Sequence, residues 1–186
     1  MGATWDARYR ESPGPAEPSE LLTSLGHLLP SRGRALDIAC GSGRNSIWLA
    51  QRGLEVVAVD ISAEALRLGR ELAESHGCSV TWLQAEVESF RLEASAYEII
   101  ACFNYRSPAL YSKIRGALRP GGWVIFETYT LDQLQFASGP RNPKHLLGPG
   151  ELLSAFADLR IAYYREVTES RAVASIAAQK MPLAGW

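Results

Sequence analysis

The feature that most constrains this chain is an alternation of short, almost continuously apolar runs with segments of helical spacing. ALDIA (35–39), EVVAVD (55–60), SVTWLQ (79–84), YEIIACF (97–103) and WVIFET (123–128) read as strands. They are rich in β-branched and aromatic residues, and unbroken apolar runs suit strands covered on both faces. NSIWLAQRG (45–53), AEALRLGRELAESHG (63–77) and SPALYSKIRGAL (107–118) carry helical periodicity, with Gly53, Gly77 and Gly121 expected at helix ends. Alternation of this kind predicts an α/β fold with a parallel, doubly wound sheet.

The last third breaks that rhythm. LDQLQFASGPRNPKHLLGP (131–149) is a long connection with three prolines and two glycines, and loops of that length are commonly functional. A short helix (150–157) follows. Then LRIAYYREVT (159–168) and RAVASIAAQK (171–180) are separated only by Glu169 and Ser170, which demands an antiparallel hairpin. At the other end, residues 12–18 contain three prolines and a glycine and read as an extended arm. Ser19 is an expected N-cap for a helix from Glu20 toward Leu29. The expected organisation is an arm (1–18), one domain (19–180) and a short tail (181–186).

Bulk properties narrow the function classes. A net charge of −1 gives no global field toward nucleic acid or an anionic membrane, and neither is expected as a partner. Cys40, Cys78 and Cys102 are scattered, which fits neither a disulfide framework nor a zinc site, and no metal is expected. The polar N-terminus and the lack of a membrane-length apolar run predict a soluble, cytoplasmic protein. Oligomeric state is not readable.

The residues that bear chemistry lie in LDIACGSGRN (36–45). A strand ends in an acid, and a bare Gly41-Ser42-Gly43 turn leads into a helix, bringing backbone and a helix N-terminus close to a ligand. About twenty residues on, Asp60 closes the second strand, where a carboxylate can accept from both hydroxyls of a ribose. Three readings compete: a plain turn, a dinucleotide site with Ser46 as its third small residue, and a site for a cationic adenosine compound. Asp37 discriminates, because a carboxylate repels a pyrophosphate and attracts an ammonium or sulfonium.

LDIACGSGRNSIWLA followed by VVAVDIS resembles the first two motifs of class I S-adenosylmethionine-dependent methyltransferases. LRPGGWVIFET is similar to the family's fifth-strand motif, and the terminal hairpin to its sixth and seventh strands. GRNSIWLAQRG with WDARY at the N-terminus resembles the small bacterial tellurite-resistance branch. The resemblance implies a Rossmann-like seven-stranded sheet, mostly parallel, with a C-terminal antiparallel hairpin. It also implies S-adenosylmethionine as cofactor and methyl transfer to a small-molecule acceptor, with an anionic or thiol acceptor left open. A macromolecular acceptor and a non-catalytic binding protein are the alternatives.

By the same resemblance, Asp37, Ala39, Gly41 and Gly43 border the methionine part, Asp60 the ribose, and Ile61 and Val87 the adenine. Glu86 is the expected acceptor from the adenine amino group, with Glu88 competing. Arg44 and Asn45 open the first helix beside the cofactor. Trp5, Arg8 and Tyr9 form a cover, with Arg8 able to pair with the cofactor carboxylate in a planar fork. Phe103, Asn104 and Tyr105 end the fourth strand, at the edge where ligands bind in such sheets. For an acceptor that needs a base, Glu127, Tyr129, Asp132 and His145 are candidates. Arg141, Lys144 and His145 make the 131–149 loop an expected acceptor wall.

Overall fold

The apolar runs become the strands of one seven-stranded sheet in the computed structural model, which describes residues 2–182. In chain order the elements are α1 (Gly2–Glu11), α2 (Glu20–Ser24), β1 (Arg34–Ile38), α3 (Arg44–Gln51) and β2 (Glu55–Asp60). Next come α4 (Ala63–Ser75), β3 (Val80–Gln84), β4 (Tyr97–Phe103), α5 (Pro108–Ala117) and β5 (Leu118–Tyr129). The chain closes with α6 (Glu151–Ala155), β6 (Arg160–Thr168) and β7 (Ala172–Gln179).

Strand order is β3-β2-β1-β4-β5-β7-β6. The first five are mutually parallel, whereas β7 runs antiparallel to both β5 and β6. The doubly wound sheet with a terminal hairpin is therefore the observed fold. The hairpin link is three residues long, since β7 starts at Ala172 and not at Arg171.

Central strands have both faces covered. On β4, Ile99, Ala101 and Phe103 pack with Leu21, Leu22, Leu25 and Leu49 from the α2 and α3 side. Ile100 and Cys102 face the other way, among Leu110, Ile114, Leu152 and Phe156 of the α5 and α6 side. There Tyr111, Phe126 and Phe156 form a triangle with ring centroids 5.7–6.2 Å apart. Aromatic burial of this kind dominates core energetics.

Four local expectations change. The helix expected over 20–29 stops at Ser24 and continues as a 3-10 turn, Gly26–Leu28. Gly121 does not end a helix: α5 stops at Ala117, and Gly121 lies inside β5, donating its N–H to Lys180 O at 2.7 Å. The helix expected over 150–157 is confined to Glu151–Ala155. The first part of the arm, read only as polar, is a helix, α1, in which no residue is buried.

Candidate functional site

The cleft lies beyond the carboxyl ends of β1, β2 and β4. Its lining includes Asp37, Ala39, Cys40, Gly41, Arg44, Asn45, Asp60, Ile61, Glu86, Val87, Phe103, Asn104 and Tyr105, with Trp5, Tyr9, Gly14 and Pro15 of the arm above them. At the end of β1 the chain makes a tight left-handed passage, with φ of +53° at Ala39, +57° at Gly41 and +76° at Gly43. An alanine held at positive φ is strained, and such strain persists only where surroundings enforce it. Here Cys40 N–H bonds to Val59 O at 3.1 Å and Gly43 N–H to Cys40 O at 3.0 Å.

The two glycines do different work. Gly41 lines the cleft, and a β-carbon there would overlap the Tyr9 hydroxyl. Gly43 does not line it. Its missing side chain makes room for the Trp82 ring of β3, which also packs on Gly69. The β-carbon direction of Gly43 therefore faces Trp82 and not the cleft.

Asp60 braces this loop. Its Oδ2 accepts from Gly41 N–H at 2.8 Å and its Oδ1 from Ser62 N–H at 2.9 Å. One lone pair on each oxygen stays available for a further donor. Burial lifts its pKa above the ordinary carboxylate value, opposed by those backbone bonds.

Asp37 is 1% exposed and accepts from Ser46 Oγ at 2.6 Å. Burial pushes its pKa up to about 7, with the Ser46 bond pulling the other way and the Asp60 charge adding to the rise. Ser46 is thus a hydrogen-bond donor to the acid, not a spacer for a pyrophosphate. A carboxylate buried in this way is neutralised by a proton or stabilised as an anion by a nearby cation, and the Arg44 charge already favours the anion.

The arm is tied down by polar contacts. Ser42 Oγ donates to Pro13 O at 3.0 Å, and the Arg44 guanidinium to Glu17 O at 3.1 Å. Asn45 Oδ1 accepts from Ser19 N–H at 2.8 Å. Burial drives the Tyr9 phenol up to about 12, so it stays neutral.

Other expected site residues fall outside the cleft. Arg8 is exposed and stacks over the Trp5 ring, 5.1 Å from its centroid, so Arg44 is the guanidinium that lines the cleft. Glu127 accepts from Ser175 Oγ at 2.7 Å and from Arg171 at 3.1 Å, and borders a separate polar cleft at the hairpin. Its cross-strand neighbour on β7 captures it. His145 is exposed on a 3-10 turn. No residue of the 131–149 loop lines the cleft: Arg141 bonds to Phe136 O, and Lys144 O accepts from Arg106 at 2.8 Å. Of the two competing acids Glu86 lines it, whereas Glu88 accepts a long 3.5 Å bond from Tyr105. Asn104 sits at φ +57°, its N–H bonded to Glu127 O at 2.8 Å.

Asp6 lies within the WDARY stretch, but sequence reading gave it no role. It reaches from α1 to the start of α4, accepting from Ser62 Oγ at 2.7 Å and Glu64 N–H at 3.1 Å. The sequence does not show what it binds, because its partners are 56 and 58 residues away. Among the described residues no cluster of His, Cys, Asp and Glu could hold a metal, and no helix is long and apolar enough to cross a membrane.

A mostly parallel sheet with a glycine turn and two buried acids, Asp37 and Asp60, at the carboxyl ends of its strands has the form of a nucleotide-binding α/β fold. Residues 35–122 match the methyltransferase domain family. The ubiquinone biosynthesis O-methyltransferase of Bordetella avium (strain 197N) is 32% identical over 134 residues, 69% of this chain and 51% of that protein. That of Burkholderia ambifaria (strain MC40-6) is 34% identical over 101 residues, 51% of this chain and 44% of its own. The chain spans about half the length of the curated relatives it matches.

Among solved structures, one from a study of the conversion of a disulfide bond into a thioacetal group during echinomycin biosynthesis superposes with a TM-score of 0.76. It is 19% identical, and the match covers 97% of this chain and 92% of that one. TehB from Haemophilus influenzae gives 0.74 at 18% identity, covering 94% of this chain and 66% of that one. At these identities the structures establish the fold alone. Residues 35–122 are thus a methyltransferase domain, set in a Rossmann-like fold shared with S-adenosylmethionine-dependent methyltransferases.

Proposed function

We propose that the protein transfers a methyl group from S-adenosylmethionine to a small-molecule acceptor. The observation that carries this reading is Asp37, a buried carboxylate at the cleft beside the glycine turn, whose pKa burial raises to about 7. A ligand carrying an ammonium and a sulfonium is attracted to the Asp37 carboxylate, whereas a dinucleotide would set its pyrophosphate against it.

In this reading Asp37, Ala39 and Gly41 border the methionine end, and Arg44 takes the carboxylate. Asp60 accepts from the ribose hydroxyls with its remaining lone pairs. Ile61 and Val87 hold the adenine, and Glu86 accepts from its amino group. Trp5 and Tyr9 cover the site, and Phe103, Asn104 and Tyr105 border the acceptor side. When bound, the cofactor supplies a methyl group activated by attachment to a positively charged sulfur. The chain contributes alignment for in-line attack and exclusion of water. Burial raises the Tyr105 phenol to about 12, so near neutrality it orients an acceptor as a hydrogen-bond donor and is no base.

A small acceptor is supported by the curated relatives, named for O-methylation in ubiquinone biosynthesis, which favours an oxygen nucleophile. Calorimetry with S-adenosylmethionine and with a nicotinamide dinucleotide tests the site. S-adenosylhomocysteine release across hydroxylated, thiol and tellurite acceptors then tests the reaction. Tight dinucleotide binding without S-adenosylmethionine binding would sink the proposal.

A further inference from the structure

We propose that Asp6 is a positioning residue: a latch that holds α1 closed over the cofactor cleft and so lengthens the stay of the bound cofactor. The second part rests on the function proposed above.

The argument starts from what α1 lacks. It has ten residues, none of them fully buried, and Tyr9 is its one half-buried aromatic, so little apolar surface fastens it to the domain. An isolated helix of that length is marginal in water. Trp5, which lines the cleft from this helix, is itself 42% exposed. The closed position therefore depends on a few polar contacts, and Asp6 makes two of them.

What Asp6 touches is the second point. It accepts from Glu64 N–H, in the first turn of α4, and from the Ser62 hydroxyl. Yet α4 already has a cap: Ser62 Oγ accepts from Ala65 N–H at 3.1 Å. That local cap survives without Asp6, so α4 does not need Asp6 to fold. Asp6 adds a second acceptor at a terminus that favours negative charge, and it adds it from the arm. The net result is attachment of α1.

Location links the latch to the ligand. Asp60, Ile61 and Ser62 are consecutive; the first two line the cleft and the third donates to Asp6. One turn of Asp6 along α1 lies Tyr9, whose hydroxyl crowds Gly41. A single side chain thus fastens the cover to the strand end that meets the ribose.

Losing a helix-cap acceptor shifts an open–closed equilibrium about five-fold. Trypsin can report this in the ligand-free protein, because Arg8 and Arg10 lie in α1. Asp6→Ala is expected to raise cleavage in the arm about five-fold and to speed S-adenosylhomocysteine release, followed by tryptophan fluorescence, by a similar factor. Asp6→Asn, which keeps the accepting oxygen, is expected to restore most of both. The melting temperature of the ligand-free domain should stay near that of the parent in both variants.

Parental cleavage of Asp6→Ala overturns the latch. So does failure of Asp6→Asn to rescue, or a melting temperature lowered as far as Ser62→Ala lowers it. Faster cleavage with unchanged ligand release overturns the link to cofactor residence. Faster cleavage in a protein whose parent binds no S-adenosylhomocysteine upholds the latch and defeats the proposed function instead.

Discussion

The cleft has two walls of opposite construction. The floor, from β1 through the glycine turn to α3, is anchored in the core: Leu36, Ile38 and Leu49 are buried, and the turn is fastened by Asp60 and by Cys40. The cover, α1 with residues 12–18, has no fully buried residue in its helix and hangs on a few polar contacts. The floor fixes where a ligand lies, because displacing it means disturbing close-packed core. The cover can open at the cost of a few hydrogen bonds, each worth only about 1 kcal/mol net. A site that must admit and release a ligand is served by that asymmetry.

The largest expected effect belongs to the floor. Gly43→Ala combines a left-handed backbone with overlap on the Trp82 ring. It should cost about 2–4 kcal/mol in denaturant unfolding. Trp82→Ala added to it should cost less than the sum of the two, since the second change removes the overlap. Strict additivity would break the packing account of Gly43.

Asp60→Ala comes next. It deletes a charged acceptor and should weaken S-adenosylmethionine binding by about 1.5–3 kcal/mol. Unchanged affinity by calorimetry in a folded variant would detach Asp60 from the ribose.

A pH series separates the two roles of Asp37. Its pKa is raised to about 7, so the folded, ligand-free protein holds a proton that the unfolded chain releases near pH 4. Ligand-free stability should therefore fall as pH rises from about 4 through 7. Affinity for the cationic ligand should rise over the upper part of that range, approaching ten-fold per pH unit below 7, and level off above it. Asp37→Asn should flatten the binding curve. Parallel trends in stability and affinity would contradict a buried acid awaiting a cation.

Deleting residues 1–18 should have the smallest effect on the ligand-free domain, within about 1 kcal/mol, because α1 buries no residue. The same deletion should weaken S-adenosylhomocysteine binding measurably. A large loss of ligand-free stability would erase the contrast between the walls.

Much of the floor was legible in sequence. β2 and β4 have the predicted bounds, and Asp37, Gly41 and Asp60 meet in one cleft because Asp37 and Asp60 lie at the carboxyl ends of parallel β1 and β2 and Gly41 in the turn that follows β1. In such a sheet, strand ends converge on one edge by topology alone. The cover was legible as composition and not as structure. Trp5 and Tyr9 reach the cleft, but the helix carrying them lacks the apolar periodicity by which surface helices are recognised.

The sequence by itself determined the alternation of strand and helix, the antiparallel hairpin and the acid–glycine–acid pattern, since these depend on residues near one another in the chain. Only the tertiary structure decided which side of the glycine turn faces a ligand and which faces Trp82. It alone directed Glu127 toward Ser175 and Arg171, 48 and 44 residues away, and left His145 in solvent. It also assigned Asp6 to a helix 56 residues on. Each outcome depends on which side chain a neighbouring strand or helix presents after folding. Periodicity reports burial along one element, whereas a hydrogen bond between distant elements needs their relative position.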